Sequence, residues 1–227
     1  MPIVERVDTG IPGFDKLVQG GFVKDSTNLI AGGAGTAKTT FCMQYLWNGL
    51  LKGENGVYIT LEQSPEDILA DMLLFGWDFK KHIDQKKLAL YSTYPTSIPK
   101  LGESVFDIIK RVNAKRLVLD SLSIASAGWE ESADISKIRR DVFDMMNMLK
   151  KVGVTSLLIS EIPRAQKDAL SRFGFEEFVV DSIVLLQYFS IGGAMRSMQI
   201  LKMRRTNHGK KIYPFDVTDK GIVIRNI

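Results

Sequence analysis

The stretch Gly32-Gly33-Ala34-Gly35-Thr36-Ala37-Lys38-Thr39 combines small, permissive residues with one cation and one hydroxyl. That combination suits an anion. Glycines let consecutive backbone N–H groups curl round charged oxygens without Cβ clashes. Lys38 supplies a point charge for the β- and γ-phosphates of a nucleotide. The Thr39 hydroxyl is a hard-oxygen ligand of the kind Mg2+ takes. The apolar run Asn28-Leu29-Ile30-Ala31 precedes the loop, and a helical stretch from Thr40 to Trp47 follows it. Strand, glycine-rich turn, Lys-Thr and helix is the context of a phosphate-binding loop, with the positive end of the helix aimed at the phosphates. Gly32, Gly33, Ala34, Gly35, Thr36, Ala37, Lys38, Thr39 and Thr40 are thus the expected contacts of a nucleotide's phosphates. Ala37 departs from the usual G-x-x-x-x-G-K-[ST] spelling, because it stands where the last glycine belongs. Its N–H survives, but its Cβ enters a tight place, which is expected to tilt the loop or slow turnover. A glycine-rich turn without a ligand is the competing reading.

Arg116-Leu117-Val118-Leu119-Asp120-Ser121 reads as a buried strand ending in a carboxylate. Beside a phosphate loop such an Asp faces Mg2+. Alone, it equally reads as an acid that caps a turn.

The elements that must position these groups follow from periodicity and punctuation. Residues 27–31 make the first core strand, and a helix runs from Lys38 to Lys52, ending at Gly53. Before them, residues 9–25 hold a short helical piece of about two turns, punctuated by Gly and Pro. Val57-Tyr58-Ile59-Thr60-Leu61 is a strand. Ser64-Pro65-Glu66-Asp67 then opens a helix that reaches about Phe75. Leu88-Ala89-Leu90-Tyr91 is a strand, 93–100 a loop with Pro95 and Pro99, and 102–113 a helix. Ile135, Ile138, Val142, Met145, Met146 and Leu149 recur at helical steps across 134–151. Val154 to Ser160 is a buried strand ending at Glu161. From 182 onward, Ile183 to Phe189, Met195 to Met203, Lys211 to Val217 and Ile222 to Arg225 read as hairpin-linked strands. The expected fold is α/β: a mostly parallel central sheet flanked by helices, with C-terminal antiparallel strands. Residues 1–227 are expected to form a single domain.

Composition bounds the function. Hydrophobic residues at 45% and charged residues at 25% are an ordinary globular mixture. No apolar run reaches the length of a membrane span, and Met1 to Arg6 lack a signal-peptide core, so a cytoplasmic protein is expected. Cys42 is the sole cysteine, which excludes an internal disulfide and a cysteine metal cluster. The net charge of +4 permits nucleic-acid binding without demanding it.

Seven blocks fall in one order: Thr9 to Asp15, the phosphate loop, Leu61 to Glu66, Phe75-Gly76-Trp77-Asp78, Leu119 to Ser123, Gly174 to Asp181 and Lys202 to His208. Together they resemble the KaiC-like branch of the RecA/RadA ATPases across nearly the whole chain, most of all the archaeal single-domain KaiC-like proteins. The resemblance implies a RecA-like P-loop core, ATP and Mg2+ as ligands, and a homo-oligomeric ring, a hexamer. It assigns Glu62, at the end of the second strand, as the base that orients water; the alternative is an acid neutralising nearby Lys or Arg. KaiC itself tends to carry two adjacent glutamates there, and this chain has Glu62-Gln63, which makes slow hydrolysis the expectation. Lys202 and Arg204 match the family's Lys-x-Arg finger pair, which reaches a neighbouring subunit's γ-phosphate. On a strand the two share a face, because side chains repeat every two residues. A solvated basic strand and turn is the competing reading. The resemblance places His208 and Asp219 at the neighbour's nucleotide. Glu161 either senses phosphate or pairs with a basic residue. Two other functions remain open: a RadA-paralogue-type module that binds single-stranded DNA, and an ATP-binding scaffold without turnover that acts on a protein partner. Against the first, no basic run is interleaved with aromatics as a stacking platform.

Overall fold

Alternation along the strands decides the architecture. Ile30 lies on one face of its strand, and Leu29 and Ala31 lie on the other, all three fully buried. Each face therefore needs its own helical cover, as buried parallel sheets do. The computed structural model describes residues 4–94, 97–125, 135–162, 176–190 and 194–225. Its nine-stranded sheet contains β3 (Thr27–Gly32), β4 (Gly56–Thr60), β5 (Leu88–Ser92), β6 (Arg116–Asp120), β7 (Thr155–Glu161), β8 (Ser182–Ser190), β9 (Ala194–Met203), β10 (Ile212–Thr218) and β11 (Gly221–Ile224). The spatial order is β11-β10-β9-β8-β3-β7-β6-β4-β5. The pairs from β8 through β5 are parallel, and those from β8 out to β11 are antiparallel.

The face bearing Ile30, Tyr58, Val118 and Ile159 packs on Phe41, Tyr45 and Leu46 of α2 (Lys38–Leu51). It also meets Ile68 and Met72 of α3 (Pro65–Leu73) and Phe79 of α4 (Phe79–Asp84). The opposite face, with Leu29, Ala31, Ile59 and Leu119, packs on Leu101, Val105 and Ile109 of α5 (Ile98–Val112). Val142, Met146 and Leu149 of α7 (Ile135–Val152) complete that layer. Each fully buried Leu or Ile contributes about 1.5–3 kcal/mol. Two one-turn helices, α6 (Leu122–Ala125) and α8 (Glu176–Val179), follow β6 and precede β8. No helix among the described residues is long and apolar enough to cross a membrane.

The α/β class, the parallel core and the antiparallel C-terminal strands agree with the expectation. Four local features differ. The expected two-turn piece before β3 is a single turn, α1 (Phe14–Leu17), enclosed by an antiparallel ribbon of β1 (Arg6–Val7) and β2 (Phe22–Val23). Asp15 closes that lead-in by accepting from the Thr9 N–H at 3.0 Å and the Thr9 hydroxyl at 2.9 Å. α5 begins at Ile98, inside the expected 93–100 loop, because Ser97 caps it and Pro99 sits in the first turn, where its missing N–H costs nothing. α4 was not expected; Asp78 caps it by accepting from the Lys81 N–H at 3.1 Å. β9 ends at Met203, as the expected strand does, but Arg204 then lies in the following turn, so the strand alternation invoked for Lys202 and Arg204 does not relate them. Pro95 and the Gly174-Phe175 start of the sixth block lie outside the described residues.

Candidate nucleotide-binding site

Because β3, β4, β6 and β7 run parallel, their carboxyl ends share one edge of the sheet. Open α/β sheets bind ligands at that edge. The phosphate loop follows β3, Glu62 follows β4, Asp120 ends β6 and Glu161 ends β7. A cleft of ≈ 540 Å³ opens there. Ala34, Gly35, Ala37, Lys38, Thr39 and Thr40 form its floor, Glu62, Asp120 and Glu161 one wall, and Leu74, Phe75 and Val217 an apolar wall.

The loop is tied into the fold at several points. A Cβ on Gly32 would come within 2.3 Å of the Leu186 carbonyl oxygen, so β8 passes too close for any side chain there. The Thr36 hydroxyl donates to the Gly33 carbonyl at 2.9 Å. Ala37, the N-cap of α2, has φ 73° and ψ 30°, the left-handed region that a glycine would occupy without strain. Lys38 is 7% exposed, donates to the Gly33 carbonyl at 2.9 Å and lies 3.4 Å from Glu161 Oε1. That contact places Glu161 as the partner of the loop lysine.

Asp120 is buried, and its Oδ2 accepts from Thr39 Oγ1 at 3.0 Å and from Tyr58 Oη at 2.6 Å. Burial pushes its carboxyl up, and the bonds from Tyr58 and Thr39 and the charge of Lys38 only partly oppose that. Glu62 is set by a turn: the Thr60 hydroxyl accepts from the Glu62 N–H at 3.2 Å and the Gln63 N–H at 3.0 Å. Ser121 donates to Glu62 Oε1 at 2.7 Å. Partial burial raises the Glu62 carboxyl, Ser121 pulls it back, and the charges of Asp120 and Glu161 raise it further.

These groups fit a polyphosphate together with Mg2+. Four carboxylates, Glu62, Asp71, Asp120 and Glu161, line the cleft with two cations, Lys38 and Arg196, so the cleft favours added cation charge before it receives an anion. One hydroxyl and one carboxylate oxygen, 3.0 Å apart, are a donor set for Mg2+ that leaves coordination positions to phosphates and water.

The structure brings Gly32 to Thr40, Glu62, Asp120 and Glu161 together. It places the other expected residues elsewhere. Lys202 Nζ donates to the Val180 carbonyl at 2.7 Å, and Arg204 Nη1 lies 3.8 Å from Asp181 Oδ1. His208 Nδ1 contacts the Gly209 carbonyl at 3.0 Å, and Asp219 is exposed in the turn between β10 and β11. Sequence reasoning missed Tyr58, Leu74, Tyr188 and Arg196 as site residues. Tyr58 lay in a recognised strand two residues before its end, which was a usable signal. The others depend on which strands and helices become neighbours.

A glycine-rich loop between β3 and α2 that carries Lys38 and Thr39, with Asp120 and Glu62 at the ends of neighbouring strands, is the arrangement of a P-loop fold. The chain belongs to the KaiC ATPase family: the family described as "ATPase: KaiC" matches residues 7–227. It is 35% identical over 234 residues to the circadian clock oscillator protein KaiC of Prochlorococcus marinus subsp. pastoris, covering 97% of this chain and 45% of that protein. The chain thus spans about half the length of that clock protein. A UPF0273 protein of Pyrococcus furiosus is 34% identical over 242 residues, covering 98% of this chain and 94% of its own. The crystal structure of a KaiC-like protein from Pyrococcus horikoshii OT3 superposes with a TM-score of 0.89 at 38% identity, covering 99% of this chain and 100% of that one.

Proposed function

We propose that this protein binds Mg2+-ATP and hydrolyses it slowly within a homo-oligomeric ring, a hexamer, in which Lys202 and Arg204 serve the nucleotide of the neighbouring subunit. The observation that carries the reading is the convergence of Lys38, Thr39, Glu62 and Asp120 on one cleft. Lys38 and the loop N–H groups bind the phosphates. Thr39 and Asp120 would hold Mg2+, which supplies charge neutralisation to the phosphate oxygens when bound. Glu62 orients a water toward the γ-phosphorus and accepts its proton. The new P–O bond forms as the bond to the β–γ bridging oxygen breaks, and ADP leaves with that electron pair.

Lys202 and Arg204 make their contacts at Val180 and Asp181 rather than in the cleft of their own subunit, which supports a role in trans. His208 and Asp219 belong to the same neighbour-facing set. Slow turnover follows from Ala37, from Gln63 in place of a second acid, and from fingers that only assembly supplies.

Lys38→Ala is expected to abolish ATP binding. Glu62→Gln is expected to keep binding and lower hydrolysis by about 100-fold or more, the usual contribution of a general base. Unchanged affinity in the first variant would remove the nucleotide assignment, and an unchanged rate in the second would remove Glu62 as the base.

A further inference from the structure

Asp120 takes two hydrogen bonds on one oxygen. Its Oδ2 accepts from Thr39 Oγ1 at 3.0 Å and from Tyr58 Oη at 2.6 Å, and its Oδ1 accepts none among the described residues. The two donors come from different layers. Thr39 stands in the first turn of α2, and Tyr58 in the middle of β4. Tyr58 pairs in register with Val118 of β6, and Asp120, two residues further on, shares the Val118 face of the sheet. Tyr58 is fully buried in the core on the α2 side and does not line the cleft. Its hydroxyl reaches the cleft through Asp120, its one acceptor among the described residues.

We propose that Tyr58 is a positioning residue that sets the metal preference of the site, Mg2+ over Ca2+, by keeping Asp120 a one-oxygen partner. The inference rests on the ATPase reading and gives a role to a residue outside the cleft. The two cations make different demands on a carboxylate. Mg2+ is small, holds near-octahedral geometry and retains several waters, so one carboxylate oxygen suffices. Ca2+ is larger, takes about six to eight oxygens and readily chelates a carboxylate through both of its own. Chelation by both Asp120 oxygens draws Oδ2 away from Tyr58 and leaves a buried hydroxyl without an acceptor, which is costly. One-oxygen contact leaves the Tyr58 bond in place. A phenylalanine at this position packs the same ring in the core and imposes no such restraint on Asp120.

The test is calorimetric titration of Mg2+-ATP, Ca2+-ATP and metal-free ATP in chelator into the wild-type protein and the variants Tyr58→Phe and Tyr45→Phe. Tyr45 is the control, because its hydroxyl is also fully buried and donates to the Thr155 carbonyl at 3.0 Å, away from the cleft. The wild-type protein is expected to bind Mg2+-ATP more tightly than Ca2+-ATP. Tyr58→Phe lowers that ratio about 10-fold, the worth of one hydrogen bond to a charged group, and leaves metal-free ATP unchanged. Tyr45→Phe keeps the wild-type ratio, even where its nucleotide-free melting temperature falls as far as that of Tyr58→Phe. An unaltered ratio in Tyr58→Phe overturns this proposal alone. So does equal weakening with both metals and without metal, which marks a purely structural hydroxyl, and so does a wild-type protein that takes both metals equally. A wild-type protein that binds no ATP overturns this proposal and the ATPase reading together.

Discussion

Substituting Ala37 by glycine isolates the one position where this phosphate loop departs from the common spelling. The structure holds Ala37 at φ 73° and ψ 30°. An L-residue with a Cβ is disfavoured there by roughly 1–2 kcal/mol. Glycine removes that strain but gives the unfolded chain more freedom, which costs about 0.5–1 kcal/mol. The Ala37 methyl is half-buried against the core, and losing half a methyl's burial costs roughly 0.4 kcal/mol. The remainder is a gain of about 0.3 kcal/mol, or roughly 1 °C in melting temperature for a chain of this size. Valine at the same position is β-branched and fits the left-handed region far worse, so a loss of about 2 kcal/mol, or roughly 4–8 °C, is expected. Differential scanning calorimetry of the nucleotide-free protein and both variants measures the order. Glycine slightly above alanine, with valine well below, supports the reasoning. A valine variant as stable as the parent, or a glycine variant several degrees less stable, would show that Ala37 is not held in the left-handed region.

Removing the Ser121 hydroxyl takes away a bond that holds the Glu62 carboxyl down, while burial and the neighbouring carboxylates that hold it up remain. As a base Glu62 must be ionised, so the acid limb of hydrolysis should move to higher pH in Ser121→Ala. A limb that stays put or moves down in kcat against pH contradicts the assignment. Arg116, only 1% exposed, pairs with Glu54 at 2.5 Å, donates to the Asp8 and Tyr45 carbonyls at 2.8 Å each and lies over the Tyr45 ring. Arg116→Ala is expected to cost about 3 kcal/mol, the lower end for breaking a buried pair because Glu54 reaches solvent. A melting temperature within 2 °C of the parent, where roughly 6–12 °C of loss is expected, would refute that.

The legible part of this protein is the part written contiguously. The phosphate loop and the Asp120 strand each show their pattern within a few residues, Glu62 came with the resemblance, and the sheet edge gathers all three because their strands are parallel. What escaped reading depends on neighbours distant in sequence. Nothing in the order of residues says that β8 lies beside β3, so nothing says that Tyr188 reaches Gly35, 153 residues away. The β1–β2 ribbon was lost because two-residue strands carry no periodicity. The start of α5 is hidden because Pro99 beside Pro95 reads as loop, although a proline in the first turn is a helix-starting signal. The strand argument for Lys202 and Arg204 failed at its last residue, where β9 gives way to a turn. Both cations still gather at the Val180–Asp181 segment.

Mixing two inactive variants tests the ring with trans-acting fingers most directly. Glu62→Gln subunits keep Lys202 and Arg204 but lack the base, and Arg204→Ala subunits keep the base but lack a finger. ATP hydrolysis is measured for each variant alone and for equimolar mixtures assembled with Mg2+-ATP. If the fingers act across the subunit boundary, the mixture regains a substantial fraction of wild-type turnover, because some interfaces join an intact base to an intact finger. A mixed assembly, verified by light scattering, that is no more active than the sum of its parts would contradict catalysis in trans.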